Sequence, residues 1–72
     1  MSKLRPLKRK KVINILLKNG FQEVRRGKHI TFKKYLPDGT ILTTWVPYHP
    51  EISIFVLQYI IKQTRKTKDE FL

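Results

Sequence analysis

The chain has no cysteine, and its 72 residues include only five carboxylates, two histidines and one tryptophan. Without cysteine there can be no disulfide and no thiolate metal site. A four-ligand zinc site built on two histidines would need oxygen ligands that so few carboxylates can hardly spare, so no metal staple is expected. No apolar run approaches the roughly 18 residues of a membrane span, and the basic N-terminus is not followed by the uninterrupted apolar stretch of a signal peptide. The expectation is a cytoplasmic protein with no membrane anchor and no small-molecule cofactor. Residues 1–72 are expected to form one domain, near the lower size limit for a single hydrophobic core.

Scarcity of acid is matched by abundance of base. Sixteen Lys and Arg give a net charge of +11 with histidine neutral. Twelve of these cations precede Tyr35, and in that span the only acid is Glu23. A small domain needs a net charge of only about 2 to 8 for solubility. The surplus, gathered in one half of the chain, points to a polyanion, because such a field concentrates phosphate-bearing partners and each neutralised phosphate adds affinity. Nucleic acid is the partner class this implies.

Met1 to Lys8, with Pro6 inside it, shows no periodicity and reads as an irregular basic arm. From about Arg9 to Asn19, Val12, Ile13, Leu16 and Leu17 recur at helical spacing, with Lys10, Lys11, Asn14 and Lys18 opposite. Gly20 supplies the left-handed residue that ends many helices. The start is poorly capped, and its four consecutive basic residues oppose the helix dipole, which suggests that these charges have another use. Phe21 to Arg26, with Phe21 and Val24 as its apolar residues, reads as a first strand broken by Gly27. A second strand over about Lys28 to Leu36 alternates, placing Ile30 and Phe32 on one face and His29, Thr31, Lys33 and Tyr35 on the other. Pro37-Asp38-Gly39 marks a tight turn into a third strand, Thr40 to Val46, rich in β-branched residues.

The two faces of that third strand are Leu42, Thr44, Val46 and Ile41, Thr43, Trp45. The simplest reading buries the tryptophan, which removes the most apolar area from water. Pro47-Tyr48-His49-Pro50 reads as a loop, since each proline lacks a ladder donor. Ser53 caps a second helix, roughly Ile54 to Thr64, with Leu57, Ile60, Ile61 and Thr64 on one side and Phe55, Tyr59 and Lys62 on the other. Thr67 and Glu70 have the spacing of a capping box for a last helical turn carrying Phe71 and Leu72. The order α-β-β-β-α predicts an α+β fold, a three-stranded antiparallel sheet with both helices on one face.

His29 is the residue that packing does not claim. Histidine exchanges a proton near neutrality and, once positioned, contributes about 100- to 10,000-fold in rate. Beside RNA it could take the proton of a ribose 2′-hydroxyl that attacks the adjacent phosphate, with Lys28, Arg25 or Arg26 stabilising the charge that develops. DNA lacks that hydroxyl, so this chemistry selects RNA and needs no metal. The plainer alternative is a strand histidine that only hydrogen-bonds phosphate. Lys33 shares its face, and Lys10 and Lys11 are further candidates for phosphate contact. His49 reads as structural, with a second proton-carrying role as its alternative. Trp45 and Tyr48 could stack on bases or pack in the core, and Phe55 with Tyr59, one turn apart, could form a protein interface or pack partly against the first helix.

The ordered set Asn19-Gly20-Phe21, Arg25-Arg26-Gly27-Lys28-His29, Val46-Pro47-Tyr48-His49, Glu51-Ile52, Lys62-Gln63 and Lys68-Asp69-Glu70-Phe71, carried by this order of elements, resembles the HicA (YcfA-like) mRNA interferase toxins. The resemblance covers nearly the whole chain. It implies a fold similar to double-stranded RNA-binding domains, and a type II toxin that cleaves mRNA and is neutralised by a HicB-like, acidic antitoxin. The family's catalytic histidine lies in a Gly-Ser-His segment, which maps onto Gly27-Lys28-His29. Here Lys28 stands in place of the serine, and Ile30 in place of a frequent second histidine. The family's Val-Pro-x-His register implies that Thr44 and Val46 point inward and that Trp45 lies on the His29 side.

Three readings therefore compete. The first is a metal-independent endoribonuclease acting through His29, with Arg25, Arg26, Lys28, Lys33, Lys10 and Lys11 holding RNA. The second is a non-catalytic double-stranded RNA-binding module, and the third is a protein-binding role centred on Phe55 and Tyr59.

Overall fold

A computed structural model describes residues 3–72 of the chain. The elements run β1 (Leu7–Lys8), α1 (Arg9–Lys18), β2 (Gln22–Arg26), β3 (Ile30–Tyr35), β4 (Ile41–Val46), β5 (Glu51–Ile52), α2 (Ile54–Thr64) and a closing 3₁₀ helix, Lys68–Phe71. The main sheet has the order β2-β3-β4, antiparallel throughout. One face is buried through Ile30, Phe32, Leu42, Thr44 and Val46. Val12 and Leu16 of α1 and Leu57 and Ile60 of α2 complete the same core, so both helices cover that face and leave the other to solvent. No helix among the described residues is long and apolar enough to cross a membrane.

Local chemistry explains the helix boundaries. Gly20, at φ +87°, turns the chain out of α1. The Gly20 and Phe21 amides donate to the carbonyls of Leu17 (3.1 Å) and Leu16 (3.0 Å), closing a Schellman motif that carries Phe21 into the core beneath the helix. Gly20→Ala would force a Cβ into the left-handed region and against the Lys34 side chain, 3.4 Å away. The expected loss is about 1–2 kcal/mol, read as a lower urea midpoint with an unchanged slope. At the start of α2, the Ser53 hydroxyl accepts from the Val56 amide at 3.4 Å. The buried Thr44 hydroxyl donates to Gln63 Oε1 at 2.8 Å, pinning β4 to α2.

The β3–β4 hairpin turns where proline, aspartate and glycine predict it. Gly39 has φ +91°, and the Asp38 carboxylate accepts from the Thr40 amide at 2.9 Å. Hydrogen bonding from Thr40 holds the Asp38 carboxyl below its ordinary range.

Several expectations are corrected. Met1 and Ser2 of the basic arm lie outside the described residues, but Leu7 and Lys8 are not irregular: they pair with Ile52 and Glu51 in a two-residue antiparallel ribbon. Arg9 continues this clasp, its amide donating to the Pro50 carbonyl at 3.0 Å and its guanidinium to the Tyr48 carbonyl. That is a structural use for one cation at the poorly capped helix start. The second strand begins at Ile30, so Lys28 and His29 belong to the turn before it. Leu17 is 50% exposed because the apolar stripe of α1 is centred on Val12 and Leu16. Val24 is also exposed, on an edge strand with no buried residue. Thr67 precedes the last turn but makes no side-chain cap, and of the two apolar residues there only Phe71 is buried.

The reading that buried Trp45 is overturned. Thr44 and Val46 are fully buried, and alternation then sends Trp45 to the opposite face. The core-facing set is smaller in area than the alternative, yet it is in register with Phe32 and Ile30, to which Thr44 and Val46 are paired.

Candidate nucleic-acid site

At one end of the uncovered sheet face lies an open depression of about 370 Å³, lined by Arg25, Gly27, Lys28, His29, Thr31 and Trp45. Three strands and one turn build it. Thr31 of β3 is paired with Trp45 on one side and with Arg25 on the other, so these three side chains share the outer face. The turn Gly27–His29 links β2 to the start of β3 and is closed by the Gly27 amide donating to the His29 carbonyl at 3.2 Å. His29 is exposed there, and its imidazole rests 4.5 Å from the Trp45 ring, tilted by 40°.

Arg25 reaches this face because of a bulge. Gln22 is opposite Lys33 and Glu23 opposite Phe32, but the register shifts before Arg25, which is opposite Thr31. Strict alternation from Glu23 would have turned Arg25 towards the helices. The extra residue, Val24, reverses it, as bulges on edge strands commonly re-aim a side chain. The same shift puts Arg26 on Glu23's side of the strand, where the two form an ion pair at 2.9 Å. Glu23 raises the Arg26 pKa further above its ordinary value, by hydrogen bond and by charge. Arg25 instead lies over the turn: a Cβ on Gly27 would come within 3.4 Å of its Nε.

Of the residues expected to bind or act on RNA, His29, Arg25 and Lys28 are brought together. Lys33 shares the outer face one step beyond Thr31, about 7 Å further along the strand. Arg26 is paired with Glu23 on the other side of its strand. Lys10 and Lys11 are exposed on α1, which packs on the covered face. His49 is exposed in the loop after β4 and does not line the depression. Thr31 was not singled out in the sequence, although its alternation with Ile30 and Phe32 already put a hydroxyl on this face.

A larger groove, about 790 Å³, runs between the N-terminal arm and the closing 3₁₀ helix, past Lys3, Arg5, Lys11 and Phe71. It is basic, but nothing lining it can exchange a proton near neutrality. The smaller depression combines cations, a proton carrier, a hydroxyl and an aromatic ring, with no carboxylate among its lining residues. Such a site suits an anion whose reaction moves a proton.

No curated protein and no solved structure matches the chain significantly. A family model does: that of the HicA toxin of bacterial toxin-antitoxin systems, over residues 9–65. The matched span runs from the first residue of α1 to the residue after α2, and it contains every side chain of the depression. The chain therefore belongs to the HicA toxin family of bacterial toxin–antitoxin systems.

Proposed function

We propose that this toxin is an endoribonuclease that cleaves mRNA in the cytoplasm through His29. The observation that carries the reading is an exposed imidazole in a depression bounded by Arg25 and Lys28 and free of lining carboxylates. His29 removes the proton of a ribose 2′-hydroxyl, the 2′-oxygen bonds to the adjacent phosphorus, and the bond to the 5′-oxygen breaks. The leaving 5′-oxygen takes a proton from solvent or from His29, leaving a 2′,3′-cyclic phosphate and a 5′-hydroxyl. Arg25 and Lys28 stabilise charge on the phosphoryl oxygens. Lys33, on the same outer face, holds flanking backbone, a sequence-independent contribution, while Arg26, Lys10 and Lys11, which face away from the depression, add to the positive field that draws RNA in.

The antitoxin, on this reading, is a HicB-like acidic protein matched to the positive charge. Phe55 is 83% exposed and Tyr59 lies one helical turn away, offering it apolar anchors. A non-catalytic module that binds double-stranded RNA is the second reading, favoured by the exposed Lys10 and Lys11 on α1.

One experiment separates them. Purified protein with a chelator is given an all-ribose oligonucleotide and its 2′-O-methyl counterpart. The ribose strand should be cut to a cyclic phosphate product and the methylated strand should stay intact. Cutting of the methylated strand, or loss of all activity in chelator, contradicts the mechanism; binding without cutting supports the RNA-binding module.

A further inference from the structure

We propose that Trp45 is the platform on which an unpaired base of the RNA stacks, beside the nucleotide that His29 acts on. The proposal rests on the ribonuclease reading for its chemistry and on the placement of one side chain for its geometry. Trp45 is the only tryptophan in the chain. Burying it would remove much apolar area from water, yet β4 gives its core positions to Thr44 and Val46 and leaves Trp45 partly exposed on the outer face.

Its surroundings favour a base over a protein side chain. The indole is held between two rings, His29 at 4.5 Å and Tyr59 of α2 at 6.0 Å. Both contacts are tilted, by 40° and 45°, so neither is a parallel stack on the indole. The rest of the ring lines a depression whose other walls are Arg25, Lys28 and Thr31. An aromatic ring within a cationic, carboxylate-free hollow is the combination that binds single strands: the cations follow the backbone and the ring takes the base. A base in a duplex has both faces covered by its neighbours and cannot use such a ring. The platform thus selects single-stranded RNA. Contact between imidazole and indole also fixes the distance between chemistry and base, so a nucleotide stacked on Trp45 presents its ribose next to His29.

Because the tryptophan is unique, its fluorescence reports this site without labelling. Wild-type protein is titrated with a single-stranded 2′-O-methyl oligonucleotide and with the pre-formed duplex of the same sequence, while anisotropy of a dye on the oligonucleotide follows binding independently. The single strand should quench the emission in step with binding, and the duplex should leave it unchanged. Cleavage kinetics supply the second readout: Trp45→Ala should raise KM about 5- to 100-fold, with a smaller fall in kcat from the lost contact to His29, and Trp45→Phe, which keeps a ring, should recover most of the loss. Binding with no quenching overturns the proposal, as does equal quenching by the duplex, or a wild-type KM in Trp45→Ala. If wild-type protein cuts no RNA, the ribonuclease reading fails, and the fluorescence titration still decides the platform.

Discussion

His29→Ala is expected to lower the rate of RNA cleavage about 100- to 10,000-fold while the protein stays folded and keeps most of its affinity for RNA. The size follows from removing the only proton carrier in the depression. The retained fold follows from position. His29 is exposed in a turn, outside the hydrophobic core, and its ring meets Trp45 on the solvent side of the sheet. A surface change of this kind usually alters stability by no more than about 0.5 kcal/mol. Affinity survives because Arg25 and Lys28 remain, and backbone binding is dominated by such cations. Single-turnover cleavage at saturating RNA measures the rate, anisotropy the affinity and urea unfolding the stability. Undiminished cleavage by the folded variant would remove His29 from the mechanism; a matching fall in affinity would recast it as a phosphate contact.

Phe71→Ala should cost about 3–5 kcal/mol of folding stability, the range for deleting a fully buried phenylalanine. Phe71 is 0% exposed, one residue from the end of the chain. The 3₁₀ helix that carries it packs against both α1 and α2, so the ring plugs the seam between the helices from outside the family-matched span. A domain of this size has a total stability near the lower end of about 5–15 kcal/mol. One ring thus supplies a large part of the whole. Urea denaturation should show a much lower midpoint, and a chain ending at Lys66 should lose at least as much. A loss below about 1 kcal/mol would mean that the core closes without the tail. Catalysis is a separate matter: Phe71 belongs to the core and does not line the His29 depression, so the folded fraction of the variant should cut RNA normally.

Much of this architecture was legible in the sequence, for local reasons. Helical spacing marks α1 and α2, and of the residues it assigns to the core, Val12, Leu16, Leu57, Ile60 and Thr64 are buried, Ile13 and Ile61 are half-buried at its margin, and Leu17 is exposed. Gly20 and Pro37-Asp38-Gly39 announce the breaks because a left-handed φ and a preset turn are properties of single residues. The α-β-β-β-α order and the antiparallel sheet follow from those signals. What escaped had no local signature. The β1–β5 ribbon joins two-residue strands more than forty positions apart, too short for any period to register. Trp45 was ambiguous because both faces of β4 are apolar enough to bury, and only pairing with Ile30 and Phe32 decides between them.

The amino-acid sequence by itself determined that this protein has a cationic half, a histidine outside the hydrophobic stripes, and an α-β-β-β-α chain with one sheet face to bury. Composition and short-range periodicity are sufficient for that. Tertiary structure alone decided which cations stand beside the histidine. The bulge at Val24 sends Arg25 to the outer face and pairs Arg26 with Glu23, while packing against β4 and the β1–β5 ribbon holds α1, with Lys10 and Lys11, on the opposite side. A one-residue change of register reverses every side chain that follows it, and that reversal is a property of the sheet, set by pairing between strands rather than by any residue alone.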